Sequence, residues 1–296
     1  MRRIAVVTTS RADYGLLRPV LRRLSTTPGV EVQLVVSGSH LSPAFGLTVR
    51  EIEADGRPIA DRVEVLLASD SPEGVTKTMG LACIGLGQSL ARLRPDILVV
   101  LGDRFEMHAA ALAALPFLIP VAHIHGGEST LGAFDDCLRH SMTKLSHLHF
   151  VAAEEYARRV IQLGEELWRV TVSGSPGLDN LADWEPTPVT ELEGQVGMPL
   201  PCHGFLLAAF HPVTLEQGRS GAYAEELVAA LARTSMPVLV SLPNADPSGR
   251  EVRVRLLAAV ALRPGWCAVE NLGTRSFFSV MARAAAMAGN SSSGLI

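Results

Sequence analysis

The chain has 296 residues, 48% of them hydrophobic and 19% charged, which suits one large or two medium α/β domains and excludes a disordered chain. The formal net charge is −4 and there is no basic run, so nucleic acid is not an expected partner; a ligand with a few phosphates needs only local arginines. The start Met1–Ser10 is too short and polar for a signal peptide, and no stretch reaches the roughly 20 apolar residues of a membrane span, so no membrane partner is expected.

In chain order, Ile4–Thr9 reads as a strand and Tyr14–Leu24 as a helix, followed by the strand Val30–Ser37. Then come a helix over Gly74–Leu93, a strand over Asp96–Leu101, a helix over Phe105–Leu115 and a strand over Val121–Ile124. Phe134–Ser146 is helical, Leu148–Val151 a strand, Glu154–Leu163 a helix and Trp168–Val172 a strand. This βαβ repetition implies a parallel sheet covered on both faces. The pattern breaks in the Gly-, Pro- and acid-rich stretch from Ser173 to His203, and a crossing near Gly174–Asn180 divides the chain into domains at 1–176 and 177–296. A second series follows: strands Phe205–Phe210, Val238–Leu242, Cys267–Val269 and Ala286–Ala288, with helices Ala222–Ala232, Arg250–Leu262 and Phe277–Ala285. About seven strands are expected in the first half and four in the second, and the second domain reads as incomplete. Cys83, Cys137, Cys202 and Cys267 lie far apart without a CxxC pair, so neither a disulfide framework nor structural zinc is expected, and a reducing cytoplasm fits.

Three charged clusters fall where buried strands open onto loops, the edge at which open parallel sheets bind ligands. In Gly102-Asp103-Arg104-Phe105-Glu106, Asp103 is placed for proton transfer; the alternative is a helix N-cap, and the neighbouring clusters favour chemistry. In His123-Ile124-His125-Gly126-Gly127-Glu128 the two imidazoles share a strand face. With Glu128 they form only a loose metal set, and hydrogen-bonded imidazoles beside a turn are the better reading, so no metal is assigned. Asp135, Asp136, Arg139, His140 and Lys144 follow on one helix, joined by i,i+4 spacings; a solvated charged face competes with a functional one. Arg11 and Asp13 occupy the first βα loop, which has no GxGxxG, and no P-loop motif exists. Gly85-Leu86-Gly87 inside a helix reads as packing. In the second half, His211-Pro212-Val213-Thr214, the loop 243–249 and Asn290-Ser291-Ser292-Ser293-Gly294 each follow a strand, where hydroxyls and backbone N–H groups can cradle a pyrophosphate.

Together with Ser10-Arg11-Ala12-Asp13-Tyr14, these clusters resemble, in order along essentially the whole chain, the hydrolysing UDP-N-acetylglucosamine 2-epimerases. The resemblance implies two Rossmann-like domains facing a cleft, of the GT-B type, with no cofactor and no obligatory metal. It implies anti elimination of UDP from UDP-N-acetylglucosamine to a 2-acetamidoglucal, then hydration to N-acetylmannosamine. By motif, Asp103 and Asp135 or Asp136 become acid/base or sugar-positioning residues, with Arg139 among them. Arg11, Arg104, His211, Ser291 and Ser292 would hold UDP, and Asn244 and Asn271 would line the nucleotide side. Many relatives read His-Ile-Glu-Gly-Gly-Glu with a catalytic first Glu; here that position is His125, so either His125 or Glu128 takes the role or the subgroup differs in substrate. The His-x-His form is more similar to the subgroup acting on UDP-2,4-diacetamido-2,4,6-trideoxy sugars in legionaminic acid synthesis. Relatives continue past Gly-Leu-Ile, so the chain is expected to be C-terminally truncated. A GT-B glycosyltransferase and a non-catalytic UDP-sugar-binding protein are the competing classes, and a homo-oligomer is the expected assembly.

Overall fold

A computed structural model describes residues 1–67, 69, 71–182, 184–213, 215–216, 218–243, 249–270 and 272–291. Two compact units emerge, one comprising Met1–Ser69 and Glu73–Ala182 and the other the rest of the chain. The first unit runs β1 (Arg2–Thr8), α1 (Arg11–Ser25), β2 (Val30–Ser37), α2 (Val49–Ala54), β3 (Ile59–Val63), α3 (Pro72–Leu93) and β4 (Ile97–Leu101). It continues with α4 (Phe105–Ala114), β5 (Val121–Ile124), α5 (Asp135–Leu145), β6 (Leu148–Val151), α6 (Glu154–Gln162), β7 (Val170–Val172) and α7 (Pro176–Asp179). The second holds α8 (Val189–Val196), β8 (Leu206–Ala209), α9 (Ser220–Leu231), β9 (Val238–Ser241), α10 (Gly249–Ala261), β10 (Trp266–Val269), α11 (Gly273–Arg283) and β11 (Ala286–Gly289).

The first sheet has seven strands in the order β3-β2-β1-β4-β5-β6-β7 and the second has four, β10-β9-β8-β11, with every pairing parallel. Central strands are apolar on both faces because helices cover both: Ala5, Val6, Leu98 and Val100 are fully buried in the first unit, and Leu207, Val238 and Leu239 in the second. In α4 the small residues Ala109, Ala110, Ala111, Ala113 and Ala114 are all buried, so the helix backbone lies close to its neighbours. No helix among the described residues is long and apolar enough to cross a membrane.

Several elements depart from the sequence-based expectation. The edge strand β3 and the short helices α2 and α8 were not expected. Leu167–Arg169 forms a 3-10 turn, so β7 begins at Val170, and α11 begins at Gly273 rather than Phe277. The first unit extends through Ala182 because α7 stays with α1: Asn180 Nδ2 donates to the Gly15 carbonyl at 2.8 Å.

Candidate active site

In each sheet the strand order reverses at one place, between β1 and β4 in the first unit and between β8 and β11 in the second. Chain connections leave such a point in opposite directions, which opens a crevice at the carboxyl ends of the strands. In the first unit, Thr9, Ser10 and Asp13 follow β1, Asp103, Arg104 and Glu106 follow β4, and His123 and His125 lie at the end of β5. Ser10 caps α1, its Oγ accepting from the Asp13 N–H at 3.3 Å. Asp13 is buried and accepts from the Thr9 hydroxyl at 2.6 Å and from the Thr9 N–H at 3.2 Å. Arg11 opens α1, half-buried.

Asp103 does not cap α4: Arg104 holds the cap position, and no side chain bonds there. The Asp103 carboxylate pairs with the Arg139 guanidinium. Arg139, at 3% exposure, also donates to Asp136 Oδ1 at 2.7 Å, to Thr130 Oγ1 at 2.9 Å and to the Glu128 carbonyl at 3.1 Å. The expected charged face of α5 is therefore turned inward at Arg139, while Lys144 pairs with Glu165 at 2.5 Å. Asp136 further accepts from the Thr130 N–H at 2.8 Å and the Ser129 hydroxyl at 2.9 Å. Asp135 sits half-buried at the first turn of the same helix. Burial pushes the Asp103 carboxyl up, Arg139 and Arg104 oppose this, and Asp13 adds to the rise. At Asp136 burial also acts upward, but the Thr130 N–H, Ser129 and Arg139 outweigh it and hold the group below the usual range.

Glu106 is fully buried and faces Arg104, with the two groups 3.3 Å apart from Oε2 to Nε. Burial raises its pKa, Arg104 pulls it back, and Asp13 pushes it up again. Asp103 and Glu106 are thus both raised by burial and by the neighbouring Asp13 charge, with Arg104 opposing the rise at each.

The two histidines have different partners. His123, fully buried, hydrogen-bonds through Nε2 to the Gly102 carbonyl at 2.8 Å, and burial lowers its pKa to about 4. Gly102 also donates its N–H to the Ile124 carbonyl at 2.9 Å. Its φ of +73° suits glycine, so β5 holds both polar groups of the turn that presents Asp103. His125 Nδ1 pairs with Glu128 Oε1, and His125 Nε2 lies 3.4 Å from Ser175 Oγ. Among the described residues no three His, Cys, Asp or Glu side chains are grouped to hold a metal ion. Glu106, His123 and Ser175 were not assigned from sequence. Only Glu106 and His123 carried a local signal, each being polar inside an apolar strand-to-loop passage.

The second unit's edge is built from backbone and amide. Asn290 Oδ1 accepts from the His211 N–H at 2.7 Å, and Asn290 Nδ2 donates to the His211 carbonyl at 2.8 Å. Gly289 makes this approach feasible, since a Cβ there would lie 1.9 Å from the Ala209 carbonyl oxygen. Ser291 follows directly and is half-buried. Asn244, Asn271 and Ser292, also expected here, lie outside the described residues.

Residues 22–296 match the UDP-N-acetylglucosamine 2-epimerase family model. The chain is 34% identical over 296 residues to the UDP-N,N'-diacetylbacillosamine 2-epimerase (hydrolyzing) of Legionella pneumophila, covering 100% of this chain and 78% of that protein. It is 36% identical to the GDP/UDP-N,N'-diacetylbacillosamine 2-epimerase (hydrolyzing) of Campylobacter jejuni, covering 99% and 77%. Its fold is similar to the crystal structure of UDP-GlcNAc 2-epimerase from Neisseria meningitidis bound to UDP-GlcNAc, with a TM-score of 0.82, 17% identity and coverage of 98% and 78%.

Proposed function

The chain belongs to the UDP-N-acetylglucosamine 2-epimerase family, and on that premise we propose that it hydrolyses a UDP-2-acetamido sugar with inversion at C2. A base takes the weakly acidic C2 proton, the C1–O bond breaks, and UDP leaves with its electron pair. Water then adds at C1 while a proton returns to C2 from the other face. The observation that carries this reading is the first unit's strand edge. There Asp103, Asp136 and Arg139 are locked together, with a His125–Glu128 pair close by in sequence and fold. Elimination followed by hydration needs two proton-transfer groups of different character, and here two carboxyls joined through one guanidinium have opposite environments: burial raises Asp103 and hydrogen bonds lower Asp136.

Asp103, Asp135, Asp136, His125 and Glu128 are assigned to proton transfer and sugar positioning, with Arg139 as their counter-charge. Arg11 and Arg104 supply positive charge at the first edge. His211 and Ser291 are assigned to the diphosphate, as are Ser292, Asn244 and Asn271 to the nucleotide. Two sugars fit the reaction. UDP-N-acetylglucosamine would yield N-acetylmannosamine. A UDP-2,4-diacetamido-2,4,6-trideoxyhexose is favoured by the names of the 34% and 36% identical relatives and by His125. Incubation with each sugar in D₂O, followed by mass spectrometry, decides. Deuterium at C2 of a released 2-epimer, with free UDP, is expected; absence of UDP release from both sugars would sink the proposal.

A further inference from the structure

His125 presents no free ring nitrogen. Nδ1 is engaged by Glu128 Oε1 and Nε2 faces Ser175 Oγ at 3.4 Å. The residue is 5% exposed, and its backbone φ of +63° lies in the left-handed region that non-glycine residues rarely adopt. Its N–H donates to the Phe150 carbonyl at 3.0 Å, so the ring's root is tied to β6. A base that touches substrate must offer it a lone pair, and His125 has none to offer here.

The carboxylate on Nδ1 makes that nitrogen the one bearing hydrogen, which leaves Nε2 to accept from the serine hydroxyl. Ser175 reaches this position from the loop before α7, with φ −86° and ψ 118°, held between Gly174 and Pro176. This serine–histidine–carboxylate order is the one that raises the proton affinity of a hydroxyl oxygen. At 3.4 Å the first link is long, as such contacts often are before substrate binds.

We propose that Ser175 is a further catalytic residue of this site, the substrate-facing end of a Ser175–His125–Glu128 proton relay in which His125 acts only as the carrier. The proposal rests on the epimerase reading and refines it. In the elimination step the C2 proton passes to Ser175 Oγ as the serine's own proton passes to His125 Nε2. The C2–H electron pair becomes the C1=C2 bond, and the C1–O pair departs with UDP. The imidazolium so formed lies against the Glu128 carboxylate. The relay resets when the Nε2 proton returns to Ser175 Oγ as the serine's own proton passes to water, which restores the Nδ1–H tautomer.

The test combines two serine variants with histidine NMR on the full chain. Ser175→Ala should lower kcat by about 10²-fold with KM within about threefold, and Ser175→Thr, which keeps the hydroxyl, should stay within about tenfold of wild type. The solvent deuterium isotope effect on kcat should report the exchangeable serine hydroxyl proton in flight for wild type and be lost in Ser175→Ala, a change that a packing role would not produce. Labelled-histidine spectra should show His125 as the Nδ1–H tautomer. Wild-type kcat in Ser175→Ala, equal losses in both serine variants, or the Nε2–H tautomer at His125 would each overturn the relay. If wild type releases no UDP from either sugar, the epimerase reading fails, while the tautomer measurement still decides the relay.

Discussion

The two sheet edges share a plan, with a strand-order reversal and polar loops at the carboxyl ends, but they differ in what lies beneath. In the first unit Asp13, His40, Glu106, His123, His125, Arg139, His149 and Glu165 are all buried. In the second, the buried polar side chains among the described residues are Thr187, Ser220, Ser276 and Ser279, none of which ionises near neutral pH. The second unit keeps its charges at the surface, as in the pairs Arg253–Glu270 and Arg255–Glu225. Charge placed in a low-dielectric interior is destabilising unless paired, and it is also what moves pKa values. An edge made of backbone and amide groups can hold an anion without that cost. The contrast fits the proposed function, with proton transfer in the first unit and anion holding in the second.

The largest effect should come from Asp103→Asn, which keeps the shape and removes the carboxyl proposed for proton transfer. UDP release should fall by about 10²–10⁴ while UDP affinity by calorimetry stays within a few-fold. A variant with normal kcat and raised KM would move Asp103 to the anion-holding class and break the contrast.

Next is Arg139→Leu. Arg139 is buried with Asp103 and Asp136 as partners, so its loss leaves two carboxylates uncompensated and should destabilise the protein by about 3–5 kcal/mol in urea unfolding. Arg255→Leu removes a half-exposed pair in the second unit and should change stability by less than about 1 kcal/mol. Equal losses at the two positions would contradict the difference in how the units carry charge.

A third effect is pH-dependent. Burial lowers His123 to about 4 and His40 to about 3, so between the ordinary histidine value and these values the unfolded chain binds protons that the folded one does not. The neutral-histidine contribution is complete above about pH 6.5 and is lost as the pH falls towards 4. For His123 the linkage amounts to about 3 kcal/mol. The stability gap between wild type and His123→Gln should therefore narrow over that window. Asp103 and Glu106, with raised values, shift stability the other way in both proteins and cancel in the comparison. A gap independent of pH would show that His123 is not held neutral.

Local patterns made the alternating strands and helices legible, along with the three charged clusters. Apolar runs ending in Asp103, His125 or His211 mark strand ends without any knowledge of the tertiary fold. The edge strand β3 escaped because Asp61 and Arg62 interrupt its apolar character and its pairing with β2 shifts register between Leu34 and Val35. The helices α2 and α8 are short and acidic, so they read as loop. Within the site, residue types were readable but partnerships were not. The i,i+4 spacing pointed Arg139 at Asp135, whereas its guanidinium spans the fold to Asp103 and also binds Asp136. Ser175 sat in a stretch read as a domain crossing, and nothing local links it to a histidine fifty positions earlier. Partners distant in sequence become visible only once the strand order is known.

The smallest expected effect tests the second unit's edge. Asn290 exchanges two neutral hydrogen bonds with the His211 backbone, closing the end of β11 onto the end of β8. Asn290→Ala removes both and should destabilise the protein by about 1–2 kcal/mol. Asn290→Asp keeps the acceptor for the His211 N–H, loses the donor to its carbonyl, and adds a negative charge beside Ser291. As a mere clip, Asn290 would make the aspartate variant the less damaging of the two for UDP binding. As part of an anion-holding edge, it makes aspartate worse than alanine for UDP affinity, with the deficit shrinking as salt screens the added charge. Calorimetric titration of UDP into both variants at two ionic strengths separates these cases. Aspartate binding UDP as well as alanine does would leave the second edge as scaffold and remove the electrostatic half of the contrast.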